Sequence, residues 1–158
     1  MSGLTHFNNE GRAKMVDVSE KQATLREAVA GCTVCLNDEV FGLVTHGEVK
    51  KGDVLAVAQV AGIMAAKRTS EIIPMCHPIT ITGVDISFFP DASRSVINVK
   101  ATVRCKGETG VEMEALTAVT VAALTIYDMC KSLQKDIEIS NIKLLHKTGG
   151  KSGDYNHE

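Results

Sequence analysis

The stretch EALTAVTVAALTIY, residues 114–127, most constrains the fold of this chain, because it carries no charge from Ala115 to Tyr127. Its length and apolar residues predict a long helix over about Val111 to Gln134. A surface helix has one apolar stripe, whereas this one is small or apolar on nearly every side. Such a helix lies either at the centre of its own core or against a second chain. We expect a subunit interface.

The rest of the chain mixes strand and helix patterns. REAVAGCTVCL and DIEISNIKLLH predict strands near the two ends of the chain, and ITITGVDISFF with SVINVKATVRC predicts a hairpin. DEVFGLVTHG and VLAVAQVAGIMAA are typical of helices. The order strand, helices, strand, strand, helix, strand is that of a ferredoxin-like sandwich. We therefore predict an α+β fold, in which helices cover one face of a four-stranded antiparallel sheet.

The length of 158 residues suits one domain. Residues 1–14 are polar and contain glycine, so we expect a flexible N-terminal arm. Residues 15–158 form the predicted domain, and its last residues, KTGGKSGDYNHE, are expected to be a mobile tail.

Composition narrows the class of function. A net charge of −2 and an aromatic content of 4% argue against a nucleic-acid surface. We find no secretory signal and expect no apolar run long enough to cross a membrane. An odd number of cysteines, five, is typical of reduced thiols in the cytoplasm. The CTVC motif has zinc-like spacing, but on a strand Cys32 and Cys35 face opposite ways, which disfavours a metal site.

Charged residues stand at both ends of the long helix. Glu112 and Glu114 lie at its start, and Asp128 and Lys131 lie at its end. Glu114 and Asp128 would be about 21 Å apart along the axis, yet within about 40° around it. They cannot share a small-molecule site in one chain, whereas an antiparallel second copy would bring one start beside one end. The alternative is that these charges only complement the helix dipole.

Two other segments could contact a ligand. In PMCHP, two prolines hold Cys76 and His77 in an extended segment, where neighbouring side chains point to opposite sides. His77 is the better ligand candidate, although a structural histidine is an equal alternative. In KTGGKSG, Lys147 and Lys151 flank glycines that would let the backbone approach a phosphate. That signal is weak, because the segment lacks the spacing of a P-loop.

Several of these motifs occur together at a specific spacing. PMCHP, KGETGVEMEALTAVTVAALTIYDMCK and LLHKTGGKSGD resemble the cyclic pyranopterin monophosphate synthase (MoaC) family, and the resemblance covers about Met15 to Asp154. One departure is Met75, where members of the family often have leucine. The resemblance implies a ferredoxin-like fold and a homohexamer built as a trimer of dimers, with active sites at the dimer interface.

The resemblance also implies a reaction. It is the conversion of (8S)-3′,8-cyclo-7,8-dihydroguanosine 5′-triphosphate to cyclic pyranopterin monophosphate, with release of pyrophosphate, in molybdenum cofactor biosynthesis. Asp128, Lys131 and Lys51 match catalytic positions. No cofactor is expected, although Mg²⁺ could accompany the triphosphate. A further set of positions matches substrate-binding or phosphate-binding residues: Met75, Cys76, His77, Glu112, Met113, Glu114, Lys67 and Lys147.

Two other functions fit part of the pattern. A nucleotide-sensing or assembly module would bind the same ligand but would need no acid–base pair at Asp128 and Lys131. A metal-dependent phosphohydrolase would lose its activity on chelation.

Overall fold

A computed structural model describes residues 7–151 and 153–157 of this chain. Residues 1–6 of the predicted N-terminal arm lie outside that range, and the flexibility of the arm stays a prediction. The elements in chain order are strand β1 (Thr24–Cys35), helices α1 (Asp38–Thr45), α2 (Val54–Ala66) and α3 (Thr69–Ile72), strands β2 (Ile81–Asp91) and β3 (Val96–Gly107), helix α4 (Glu112–Cys130), and strands β4 (Glu138–Thr148) and β5 (Tyr155–Asn156).

The strands form one antiparallel sheet in the order β2-β3-β1-β4-β5. The predicted α+β class is confirmed, and the arrangement is compatible with a ferredoxin-like sandwich. The predicted number of strands was wrong, since the sheet has five rather than four. The fifth lies in the glycine-rich tail, where Tyr155 and Asn156 pair with Lys147 and His146. A strand of two residues has no side-chain periodicity, so only its backbone pairing reveals it.

The two faces of the sheet differ in burial as the alternation in β3 predicts. Ile97, Val99 and Val103 are buried on the face that meets the helices, and Ala28 and Ala30 of β1 are buried beside them. The opposite face is polar, with a Thr33–Asn98 hydrogen bond of 3.0 Å among its contacts. The apolar face therefore determines on which side the helices pack.

Helix α4 packs between the sheet and α2. Alanines at positions 115, 118, 122 and 123 are fully buried. A Cβ on Gly62 of α2 would lie 2.9 Å from the Ala118 carbonyl oxygen, so the two helices are in close contact. The apolar sequence of α4 is thus explained largely by its own core, the alternative to the expected subunit interface. The interface itself stays a prediction.

Helix α4 has the length and hydropathy of a membrane span, which the sequence analysis did not expect. Its most apolar window has a mean hydropathy of 1.3, and 56% of that window is buried inside the fold. Core helices meet the same criterion, and packing against the sheet and α2 accounts for the composition of this one.

Helices α2 and α4 run antiparallel, and this arrangement positions the candidate site residues. Helix α2 begins at Val54, and the side chain of its N-cap, Asp53, accepts a hydrogen bond from the Ala56 backbone N–H at 3.0 Å. The turn before Asp53 therefore lies near the carboxyl-terminal end of α4. The segment after α2, which contains Cys76 and His77, lies near the start of α4.

Candidate active site

The carboxyl-terminal end of α4 brings together the three predicted catalytic residues. Lys131 Nζ donates a hydrogen bond to Asp128 Oδ1 at 2.5 Å. Lys51 Nζ donates to the backbone carbonyl of Asp128 at 3.1 Å, although the two residues are 77 positions apart. The structure thus brings these three residues together, while their catalytic roles stay predictions.

The Asp128–Lys131 pair favours the charged form of both partners. The hydrogen bond and the positive charge of Lys131 lower the pKa of Asp128. The same contact raises the pKa of Lys131. The side chain of Asp128 is 64% exposed and that of Lys131 is 53% exposed, so within one chain the pair is open to solvent. A proton transfer between them would become easier if another surface covered the pair and removed water.

The start of α4 carries a second cluster. Glu112 Oε1 accepts a hydrogen bond from Lys147 Nζ at 3.0 Å, and this ion pair is about three-quarters buried. Lys147 comes from β4, so the pair joins the sheet to the first turn of α4. A bound phosphate would compete with Glu112 for the same ammonium group.

Glu114 is a buried carboxylate in the first turn of α4. It is only 3% exposed, and its Oε2 has no hydrogen-bond partner among the described residues. Burial is the main reason that its pKa rises from 4.5 to about 6, and the negative charge of Glu112 adds to the rise. A carboxyl group of this kind can exchange a proton, or accept hydrogen bonds, near neutral pH.

Glu114 lines a cavity of about 270 Å³ together with the PMCHP segment. Met75, Cys76, His77 and Met113 line the same cavity, and their contact with a substrate stays a prediction. Burial raises the pKa of the Cys76 thiol, and the charge of Glu114 raises it further. The thiol therefore stays protonated at neutral pH, which argues against a nucleophilic role.

A larger cavity of about 720 Å³ adjoins the same end of α4. Glu112 lines both cavities, so the two are neighbours at that residue. Basic side chains from segments 21–26 and 147–151 line the larger one, together with three glutamates: Lys21, Arg26, Lys147 and Lys151 are the basic residues, and Glu20, Glu108 and Glu112 the acidic ones.

Sequence reasoning did not identify Lys21 and Arg26. Arg26 lies at the start of β1, where Nε donates to the Gly107 carbonyl at 2.9 Å and Nη2 donates to the Glu108 carbonyl at 3.0 Å. No local motif marks either residue, because each reaches the cavity through pairing and folding of distant segments. An isolated basic residue beside a strand is the only signal that the sequence contained.

The glycines of KTGGKSG approach Arg26 in this structure. Gly149 has a φ of +88° and Gly150 has a φ of +83°. A Cβ on Gly149 would lie 2.3 Å from the Leu25 carbonyl oxygen, and one on Gly150 would lie 2.4 Å from Arg26 Nη1. Glycine is therefore needed here both for conformation and for space. The loop helps to hold Arg26 at the cavity.

This chain is similar to known proteins over nearly its whole length. A model of the MoaC family matches residues 15–150. The chain belongs to the MoaC family. The cyclic pyranopterin monophosphate synthase of Thermoanaerobacter pseudethanolicus (strain ATCC 33223 / 39E) is 64% identical over 155 residues, which cover 98% of each chain. The protein of that name from Bacillus thuringiensis subsp. konkukian (strain 97-27) is 57% identical over 159 residues, again 98% of each chain.

Within this MoaC chain, the predicted site residues divide into two groups at opposite ends of α4. Glu114 and Asp128 both lie in that continuous helix, so their separation along its axis is about 21 Å. Lys67 belongs to neither group: it is the exposed C-cap of α2 and does not line the two cavities above. Its predicted role as a phosphate-binding or catalytic cation stays a prediction.

The described cysteines and acidic residues of this MoaC chain do not gather into a cluster suited to a metal. Among residues 7–151 and 153–157, no three His, Cys, Asp or Glu side chains are arranged to hold an ion. In the CTVC motif, Cys32 is buried and its Sγ lies 3.5 Å from the Val119 carbonyl oxygen, within hydrogen-bonding reach.

Proposed function

We propose that this MoaC family protein is a cyclic pyranopterin monophosphate synthase of molybdenum cofactor biosynthesis. The reaction converts (8S)-3′,8-cyclo-7,8-dihydroguanosine 5′-triphosphate to cyclic pyranopterin monophosphate and releases pyrophosphate. The observation that carries the proposal is the identity of 57–64% to proteins of that name over 98% of the chain. A small biosynthetic enzyme with free thiols also suits the cytoplasm, where we place it.

The larger cavity suits the triphosphate. Lys21, Arg26 and Lys147 present cationic donors there, and Arg26 is held in place by two carbonyl groups. Such groups neutralise a polyphosphate and stabilise the pyrophosphate that leaves. The smaller cavity, which contains Glu114, then receives the base. The Glu114 carboxylate can accept hydrogen bonds from the amino and ring N–H groups of that base.

Asp128, Lys131 and Lys51 carry out the proton transfers of the reaction. Asp128 lies about 21 Å along α4 from Glu114, and Lys131 and Lys51 contact Asp128, so the three are too far from Glu114 to act on the same substrate within one chain. A second copy packed antiparallel would place its Asp128 and Lys131 beside the Glu114 cavity of the first. We propose that each active site is built by two chains in this way.

Exposed apolar residues support that packing. On α4, Met113 is 38% exposed and Leu124 is 52% exposed, and their positions lie within about 60° of Asp128 around the helix. On α2, Val57, Val60 and Met64 form a second exposed stripe at helical spacing. A two-fold partner covering both stripes would also remove water from the Asp128–Lys131 pair. The trimer of such dimers, a homohexamer, is part of the same proposal.

Substitution of Asp128 tests the proposal directly. We expect Asp128→Ala to abolish product formation while the oligomer remains intact, because the pair that exchanges protons is broken. Product formation is measured with the purified cyclic triphosphate, and the oligomer by light scattering. Undiminished turnover by this variant would show that the assignment is wrong.

Mixing variants tests the shared site. Asp128→Ala and Glu114→Ala each damage a different half of the site, so a mixed dimer contains one intact site and one that is doubly damaged. We expect activity to return when the two inactive proteins exchange subunits. If exchange is demonstrated with labelled subunits and activity stays absent, the two halves belong to one chain.

We propose that catalysis needs no resident metal, because lysine and arginine side chains supply the positive charge around the triphosphate. Mg²⁺ would enter only with the substrate. Dialysis against a chelator, followed by assay in metal-free buffer, is expected to leave most of the activity. A complete loss that Zn²⁺ or Mn²⁺ restores would contradict this and favour a metalloenzyme.

A further inference from the structure

We propose that the backbone carbonyl of Val16 holds His77 in the tautomer protonated at Nε2, so that Nδ1 is the ring nitrogen that meets the substrate. The inference rests on the proposed function for the identity of the substrate, and it concerns a positioning contact outside the two charged clusters. It makes the irregular segment Met15–Ser19, which precedes the first strand, part of the active site.

The contact itself determines which nitrogen carries the proton. His77 Nε2 lies 2.6 Å from the Val16 carbonyl oxygen, and the two residues are 61 positions apart. A carbonyl oxygen can only accept a hydrogen bond, so Nε2 must be the donor. In the neutral ring, Nδ1 then carries a lone pair and no proton.

The surroundings of His77 leave Nδ1 available to a ligand. The ring lines a cavity of about 490 Å³ under Met15–Ser19 and also the cavity of about 270 Å³ that contains Glu114. Nε2 is engaged by the first of these walls. No described residue forms a hydrogen bond with Nδ1, the second ring nitrogen. The lone pair of Nδ1 is therefore free to face the cavity of Glu114.

Local structure keeps Val16 in place. Asp17 Oδ1 accepts hydrogen bonds from the backbone N–H of Ser19 at 2.9 Å and from its hydroxyl at 2.7 Å. The Lys21 N–H donates to the Val18 carbonyl at 3.0 Å, which closes the next turn. These turns stiffen a segment that has no helix or strand of its own.

The chemical consequence is that two of the polar side chains lining this cavity, Glu114 and His77, can accept a hydrogen bond from a ligand. Glu114 Oε2 is buried without a partner, and Nδ1 of His77 offers a lone pair. Such a pair suits the N–H and amino edge of a guanine-derived ring. His77 would thus accept a hydrogen bond or a proton from the substrate at Nδ1, and it would not donate one from Nε2.

Nuclear magnetic resonance of the full-length protein tests the tautomer without any need for turnover. With histidines labelled by ¹⁵N, the His77 ring is assigned as the signal that the His77→Asn variant lacks. We expect a protonated Nε2 whose N–H exchanges slowly with water, and an unprotonated Nδ1. Addition of cyclic pyranopterin monophosphate should shift the Nδ1 resonance and leave the Nε2–H signal in place. A proton on Nδ1, or a product-induced shift confined to Nε2, would overturn the proposal.

A single-atom change tests the role of the carbonyl. The Gly31–Cys32 junction allows residues 1–31 to be made synthetically and ligated to the rest, with an ester in place of the Val16–Asp17 amide. An ester carbonyl is a weaker acceptor, and the Asp17 N–H that it removes has no partner among the described residues. We expect faster exchange of the Nε2 proton and a fall in kcat of about two- to tenfold with little change in KM.

The matched control is an ester at Met15–Val16, where neither the carbonyl nor the N–H forms a hydrogen bond with a described residue. It should behave as the unmodified protein. Equal exchange and equal kcat in the two ester proteins would refute the role of Val16. If the unmodified protein does not turn over the cyclic triphosphate at all, the proposed function fails, while the tautomer measurement still decides the inference.

Discussion

Replacement of Glu114 by glutamine should stabilise the protein at alkaline pH and not at acid pH. The carboxyl group is 3% exposed and has an unpartnered oxygen, and burial raises its pKa from 4.5 to about 6. The folded state therefore binds this proton more tightly than the unfolded state. Stability from the group is complete below pH 4.5 and is lost as the pH rises through about 6.

The size of the effect follows from the pKa. A rise from 4.5 to about 6 corresponds to about 2 kcal/mol of unfolding free energy lost between acid and alkaline pH. Glutamine has nearly the same shape and never ionises, so it removes this loss. The unfolding free energy of the variant minus that of the wild type should thus grow by about 2 kcal/mol from about pH 4 to about pH 8.

Urea denaturation at several pH values and one fixed protein concentration measures this difference. Glu48→Gln is the control, because Glu48 is exposed and forms no ion pair with a described residue. The unfolding free energy of Glu48→Gln should stay within about 0.5 kcal/mol of the wild-type value at every pH. If the difference in unfolding free energy between Glu114→Gln and the wild type does not change with pH, burial does not raise the pKa of Glu114 as argued. A difference of opposite sign would mean that a cation stabilises the carboxylate in the assembled protein.

Two glycine substitutions test close contacts. Gly150→Ala should raise KM for the triphosphate about tenfold in steady-state kinetics, because its Cβ would displace the Arg26 guanidinium. Gly153→Ala is the control, since Gly153 also has a positive φ but has open space around it. Equal KM values in the two variants would contradict this role of Gly150. Gly62→Ala should lower the unfolding free energy by about 1–3 kcal/mol in urea, because the new methyl overlaps the backbone of α4. The control Gly42→Ala has space and should not destabilise, and a Gly62→Ala protein as stable as this control would show that α2 and α4 are not in close contact.

Much of the fold was predictable from periodicity. The alternation in SVINVKATVRC predicts which residues of β3 are buried, and the burial of Ile97, Val99 and Val103 confirms it. The helices predicted from DEVFGLVTHG and VLAVAQVAGIMAA are also found, as α1 and α2. The predicted end of α4 was less accurate, because the helix ends at Cys130 rather than near Gln134. The backbone N–H groups of Leu133 and Gln134 both donate to the Cys130 carbonyl, and this turn replaces the last helical turn.

Part of the site was predictable too, for a different reason. Asp128 and Lys131 are three positions apart on one helix, so helical geometry alone places them in contact. Lys51 joins them only because α2 lies antiparallel to α4. Arg26 and Lys21 were missed, since no local pattern connects the start of β1 with the loop after β4.

The sequence alone determined the class of fold, the faces of its strands and the separation of Glu114 from Asp128, because each follows from the local geometry of a helix or strand. The tertiary structure decided what those residues experience. It buried Glu114 and raised its pKa, left Asp128 in solvent, and turned the Val16 carbonyl toward His77. Such properties depend on desolvation and on contacts between distant segments, and neither exists until the chain has folded.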